Sequence, residues 1–286
     1  MTITVNTNVP SLTAQKSLNT STDKMNTAME RMSTGLRINS SKDDAAGMAV
    51  VTKLNYKVSS LDVAKDNGQM GASMLDTAEG VLSVIQDNLT RIRDLTEQAA
   101  NGTYGSDAMV AIKTEVQARM DEITRLAQSS EFNGRILFNP SDSEGVKNDI
   151  NLQVGIKSDE TSVIKLSKDL FADAAASTIL NVSGGNVASK YVDDSSARAF
   201  LTDIDNALAD ITSRTTLLGG YQQRIISAVD AAGVMETNLT SAASLIEDAD
   251  IAESSSDYIR QQILQQTSAS LLATANQSPS IALNLI

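Results

Sequence analysis

Leu201, Ile204, Leu208, Ile211, Leu218, Ile225, Val229, Ala232, Leu239, Ala243 and Ile246 stand on one grid of alternating three- and four-residue steps. Thr215, Gln222 and Glu236 are its polar members. A grid of this kind marks one face of an α-helix, and at this length it marks a coiled-coil seam. A helix cannot bury such a stripe against itself, so the chain needs a helical partner of comparable length. The stretch from Asp44 to Asn101-Gly102 supplies one. It contains no proline, and Leu54, Val58, Leu61, Ala72, Leu75, Leu82 and Leu89 recur at helical spacing. The expected fold is therefore mainly α: a long, elongated, antiparallel helical coiled-coil bundle.

The rest of the chain fits around that pair. Leu18, Met25, Met29, Met32 and Leu36 form a shorter seam on a helix from about Ser11 to Thr34, with Gly35 as its stop. Ser40 or Ser41 is expected to cap the next helix, with Asp43 and Asp44 in its first turn. Gly68, Gly71 and Gly80 each weaken the long helix by about 1 kcal/mol relative to Ala and suggest close backbone packing. Ser106 and Asp107 are expected to cap a third helix carrying Ile112, Val116, Ile123 and Leu126. Between Glu131 and about Ser189 the period changes. Phe132-Asn133-Gly134 is a turn signal, and Ile150, Leu152, Val154 and Ile156 alternate before a second short run through Ile164 and Leu166. That pattern reads as a small β-hairpin region, closed by a Gly184-Gly185-Asn186 loop.

Charge is distributed unevenly. The chain is 20% charged, yet Gln261 to Ile286 carries no charged side chain, and Met1 to Thr22 has only Lys16. The C-terminal run is interrupted by Gln, Ser, Asn and Pro279, which argues against a membrane span of roughly 20 apolar residues. Helical spacing instead places Ile259, Ile263, Leu264, Leu271 and Ala275 on one face, expected to be buried against protein. The two charge-poor ends are expected to share one sheltered layer. MTITVNTNVP has neither a basic leader nor a continuous apolar segment, so no cleaved signal is expected.

Composition excludes several kinds of chemistry. Cysteine and histidine are absent, which removes thiolate catalysis, disulfides, the commonest metal ligand and the usual acid-base group. There is no GxxxxGK[ST], HExxH or GxSxG pattern, so neither an enzyme nor a cofactor or metal site is expected. Glu247-Asp248 and Asp43-Asp44 read as helix-end charges. A net charge of −12 without a basic stripe opposes nucleic-acid binding.

Five longer stretches carry a family signature: 33-STGLRINSSKDDAAGMAV-50, 89-LTRIRDLTEQAANGT-103, 131-EFNGRILF-138, 151-NLQVG-155, and the chain from Ser244 to the end. In this order they resemble bacterial flagellin. Hook-filament junction proteins share parts of the terminal pattern, but the second and third stretches favour flagellin. The resemblance implies a self-assembling filament subunit for swimming motility, placed outside the cell. It further implies that residues 1–43 and 247–286 form an inner helical tube and that 44–246 form an outer one. Only about fifty residues separate Pro140 from Ser195, so no outer variable domain is expected. Inter-subunit packing is expected to use Leu18, Met25, Met29 and Met32 with Ile259, Ile263, Leu264 and Leu271. The implied partners are further copies of the chain, the export apparatus and a chaperone, and cap and junction proteins. A flagellin-sensing Toll-like receptor would contact Leu89, Arg91, Leu95, Gln98 and Glu115, the surface that also meets neighbouring protofilaments. Arg91 is expected to present its guanidinium to a carboxylate of a neighbouring copy. Thr90, Asp94 and Glu97 depart from the usual receptor-recognised pattern.

Overall fold

The computed structural model describes residues 7–182 and 185–283, and of 278–283 the backbone alone. Gly184 of the expected loop lies outside the described residues, as do residues 1–6 and 284–286. In order, the helices are α1 (Val9–Thr34), α2 (Ala45–Ala99), α3 (Ser106–Ser129), the single turn α4 (Ala176–Ile179), α5 (Asp194–Glu247) and α6 (Ile251–Leu283). Four short strands lie between α3 and α4: β1 (Glu131–Phe132), β2 (Arg135–Ile136), β3 (Ile150–Gln153) and β4 (Val163–Leu166). The chain divides into two compact units. One is Ser59–Glu236, and the other takes in the chain up to Val58 and from Thr237 onward.

In the Ser59–Glu236 unit, α2 and α5 run antiparallel. Lys65 pairs with Glu236 at 2.5 Å, Gln222 donates to Asp76 at 2.5 Å and Arg93 pairs with Asp205 at 2.7 Å. Glu236 and Gln222 are polar grid members, and both reach across to α2. The apolar members Ile204, Ile211, Leu218 and Ile225 are buried in one hydrophobic cluster with Leu75, Leu82, Leu89 and Ile92 of α2 and Ile112, Val116, Met120 and Ile123 of α3. Gly68 and Gly71 mark close approaches as expected. A Cβ on Gly68 would stand 2.5 Å from a Val229 methyl, and one on Gly71 would overlap the Leu152 side chain. Gly80 faces open space and has no such role.

The few aromatic residues are concentrated where helical packing gives way. Phe138 and Phe171 pack with ring centres 6.3 Å apart, and Tyr191 meets Phe200 edge-on at 5.8 Å. The Tyr191 hydroxyl shares a buried hydrogen bond with Thr96, and burial pushes its pKa from 10.0 up to about 12 against the opposing effect of that bond.

The expected hairpin is β3–β4, in the register Ile150↔Leu166 and Gln153↔Val163. It ends sooner than the alternating pattern because Val154 and Gly155 N–H both donate to Ser162 C=O. Two residues then oppose one, as in a β-bulge, and Ile156 is left at the surface. The Phe132-Asn133-Gly134 turn closes a second hairpin, β1–β2, in which Asn133 and Gly134 have φ of 50° and 79°. Positive φ at both central residues is the reason for Asn-Gly there.

Of the expected helix ends, the stop of α1 is as the sequence suggests and the starts of α2 and α3 differ. Gly35 ends α1 with φ 75°, its N–H donating to Arg31 C=O at 2.9 Å. The cap of α2 differs from expectation: Asp44, not Ser40 or Ser41, precedes the helix and accepts Ala46 and Gly47 N–H at 3.0 Å each. Asp43 closes the preceding turn by accepting from Ser40 and Asn39, and its bond from the Ser40 hydroxyl is the main cause of a lowered carboxyl pKa. Gly105 precedes α3 without any side-chain cap, so Ser106 and Asp107 do not cap it; Asp107 lies in its first turn.

Candidate assembly surface

In the other unit, α1 and α6 lie antiparallel. Asn8 Nδ2 donates to Ala275 C=O at 2.8 Å, and Gln265 Nε2 to Thr22 Oγ1 at 2.9 Å. The first bond answers a local need. Pro279 has no N–H, so within α6 the carbonyl four residues earlier, Ala275, loses its helical donor. Asn8 replaces that donor while its Oδ1 caps α1 by accepting Ser11 N–H. At the opposite end the two connectors pair as a short antiparallel bridge. Arg37 N–H donates to Glu247 C=O at 2.6 Å and Ala249 N–H to Gly35 C=O at 2.9 Å.

The seam between the two helices is small and polar. From α1 it takes Ser11, Ala14, Leu18, Ser21, Met25, Ala28 and Met32, and from α6 it takes Ser254, Tyr258, Gln261, Gln265, Ser268, Leu272 and Ala275, all buried or half-buried. Both sets follow a strict heptad rhythm. Leu18, Met25 and Met32 therefore stand on the expected seam, while Ala28 occupies the place read for Met29, which is 51% exposed. Ser, Ala and Gln at most of these positions let the backbones approach closely, and the apolar burial comes mainly from Leu18, Met25, Met32, Tyr258 and Leu272.

The apolar face of α6 points the other way. Ile259, Ile263, Leu264 and Leu271 are 52%, 58%, 44% and 59% exposed. Among the described residues this face is not buried within the chain, because α1 lies on the serine and glutamine side of α6. Val9, Leu12 and Met29 are likewise exposed on α1. The recurrence of serine and glutamine at heptad spacing from Ser254 to Ser268 was the signal for the paired side. Reading only the apolar residues missed it.

The second residue set divides by burial. Leu89 and Leu95 point into the core of the Ser59–Glu236 unit, while Arg91, Gln98 and Glu115 are at its surface. Arg91 Nε and Nη2 both approach Glu115 Oε1 at 2.9 Å. The guanidinium expected to reach a neighbouring copy is thus engaged by α3 of its own chain.

An outward apolar row on a paired helix is a face left for another molecule, and comparison with known families shows what kind of chain carries it. Residues 5–143 match the bacterial flagellin N-terminal helical region, and residues 201–286 match the flagellin C-terminal helical region. The chain belongs to the bacterial flagellin family. It is 34% identical over 288 residues to a flagellin of Listeria monocytogenes, covering 99% of each chain. It is 32% identical over 285 residues to a flagellar filament 30.7 kDa core protein of Treponema maltophilum, again over 99% of each. The solved structure of a putative flagellar hook-associated protein from Vibrio parahaemolyticus superposes with a TM-score of 0.57 at 18% identity, covering 72% of this chain and 99% of that one, which shows a shared fold. As a flagellin of short form the chain is a structural subunit of the flagellar filament, which serves motility. No described helix is long and apolar enough to cross a membrane.

Proposed function

We propose that filament growth buries the outward faces of α6 and α1, with Ile259, Ile263, Leu264 and Leu271 packing against neighbouring copies together with Met29, Val9 and Leu12. The observation that carries this reading is the inversion of α6: its polar side is used within the chain and its apolar side is left for another molecule. Repetition of such a contact in a heterologous, non-closing arrangement generates a helical polymer. On this reading residues 1–43 and 247–286 belong to the inner layer of the filament and residues 44–246 to its outer layer. The uncharged polar groups of α6 suit a crowded interior, where repeated like charges would repel. The work is packing rather than catalysis, in keeping with a chain that lacks histidine and cysteine. Family membership also supports, as part of the same reading, export to the cell exterior, escort by a chaperone, and contacts with cap and junction proteins. Recognition by a flagellin-sensing receptor would rest on Arg91, Gln98 and Glu115, the members of that set at the surface.

Leu271→Asp tests the reading. Leu271 is exposed in the single chain, so helix content and melting of the monomer should stay unchanged. In the polymer the same aspartate becomes a buried unpaired charge, a penalty of several kcal/mol per copy. Purified variant should therefore remain in the supernatant under conditions where the parent sediments as filaments. Filaments of normal length from Leu271→Asp would refute the assignment.

A further inference from the structure

Three Asn-Gly steps occur in the chain: Asn67-Gly68, Asn101-Gly102 and Asn133-Gly134. This dipeptide has a reaction of its own. The glycine nitrogen, unhindered by a side chain, can attack the asparagine amide carbon Cγ. A new N–C bond forms as the backbone proton passes to solvent base, and the bond from Cγ to the amide nitrogen breaks as that nitrogen takes up a proton from solvent and leaves as ammonia. The resulting succinimide takes up water at either carbonyl to give aspartate or isoaspartate. Water is the only co-reactant. The step requires a glycine N–H free to lose its proton and a backbone free to turn.

The fold treats the three steps differently. Gly68 lies inside α2, where its N–H belongs to the helical ladder and its backbone is pressed against Val229. Gly134 N–H donates to the Glu131 carboxylate at 3.0 Å, within a tight turn whose geometry is fixed by the β1–β2 pairing. Asn101-Gly102 is exposed in the link between α2 and α3. There the Asn101 carbonyl accepts Tyr104 N–H at 3.4 Å, which puts Gly102 at the second position of a turn, where the N–H projects outward. Nothing lies within 4 Å of a Cβ built on Gly102. Among the described residues, neither the Gly102 N–H nor the Asn101 side-chain amide has a hydrogen-bond partner.

We propose that Asn101 is a site of spontaneous conversion to isoaspartate and aspartate in the folded protein, and that the fold protects the same dipeptide at Asn67 and Asn133. The product places a carboxylate just beyond the last turn of α2, where the free carbonyls already carry partial negative charge. Isoaspartate also lengthens the main chain at a residue whose N–H closes that end onto Gln98. The modification therefore loosens the C-terminal turn of α2.

The test incubates the full-length protein in mildly alkaline buffer, in ordinary and in heavy-oxygen water, and follows each Asn-Gly peptide by mass spectrometry. Asn101 should convert at least about ten-fold faster than Asn133 or Asn67, the factor expected from one charge-assisted hydrogen bond that must break first. Gly102→Ala should slow it severalfold. In denaturant the three rates should converge. Equal rates in the folded protein, faster loss at Asn133, or an advantage of Asn101 that persists undiminished in denaturant would each overturn the proposal.

Discussion

Gly68 and Gly80 lie on the same helix, and the same substitution at each should act with opposite sign. Alanine stabilises a helix interior by about 1 kcal/mol relative to glycine. At Gly80 nothing lies within 4 Å of the added methyl, so Gly80→Ala should keep most of that gain. At Gly68 the methyl would stand 2.5 Å from Val229 Cγ2, with Ile225 at 3.8 Å and Val154 at 3.9 Å closing the neighbouring space. Carbon contacts favour about 3.5–4.0 Å, and valine is stiff about χ1, so α2 and α5 must separate or Val229 must leave its rotamer. Overpacking of this kind costs about 1–3 kcal/mol, which outweighs the helical gain and leaves Gly68→Ala destabilised by about 1 kcal/mol. Guanidinium unfolding of the monomer, followed by circular dichroism, should therefore separate the two variants by about 2 kcal/mol. Val229→Ala in the Gly68→Ala background should reveal a coupling of about 1–2 kcal/mol. If Gly68→Ala stabilises the protein as much as Gly80→Ala does, the close α2–α5 approach is wrong.

Two further outcomes follow from buried and capping groups. Tyr191 keeps its proton in the folded state up to about pH 12, whereas the unfolded chain releases it near its ordinary value of 10.0. Its contribution is thus fully present below pH 10 and lost as the pH rises toward 12; alkaline melts of Tyr191→Phe should show a shallower decline than the parent. Removing the α2 cap with Asp44→Ala should destabilise the protein by about 1 kcal/mol, while Ser41→Ala should leave the melting curve in place.

The long helices were legible because a three-four grid on α5 or α2 has only one economical burial, against another helix of similar length. The β3–β4 hairpin was legible through the alternation of Ile150, Leu152 and Val154, and the end of α1 through Gly35. The bulge at Ser162 was not, since it depends on two N–H groups converging on one carbonyl. Short-range capping was harder: Asp43, Asp44, Ser40 and Ser41 all suit a helix start, and only the folded turn decides that Asp43 closes it and Asp44 caps. The side of α6 that pairs within the chain is harder to read still. Apolar residues mark a face that will be covered, but not the molecule that covers it. Ser254, Gln265 and Ser268 reveal the intramolecular side only when their spacing is compared with that of Ser11, Leu18 and Ser21. Arg91 pairs within the chain because the α2–α3 link brings Glu115 beside it, a contact that nothing in the sequence marks.

The assembly surface is tested most directly by a thiol placed on it, which is clean because the chain has no cysteine of its own. Ile263→Cys, on the outward face of α6, should react rapidly with a maleimide in the monomer. In assembled filaments it should become strongly protected. Equal labelling of monomer and filament at position 263 would contradict the claim that this apolar face is what the polymer buries.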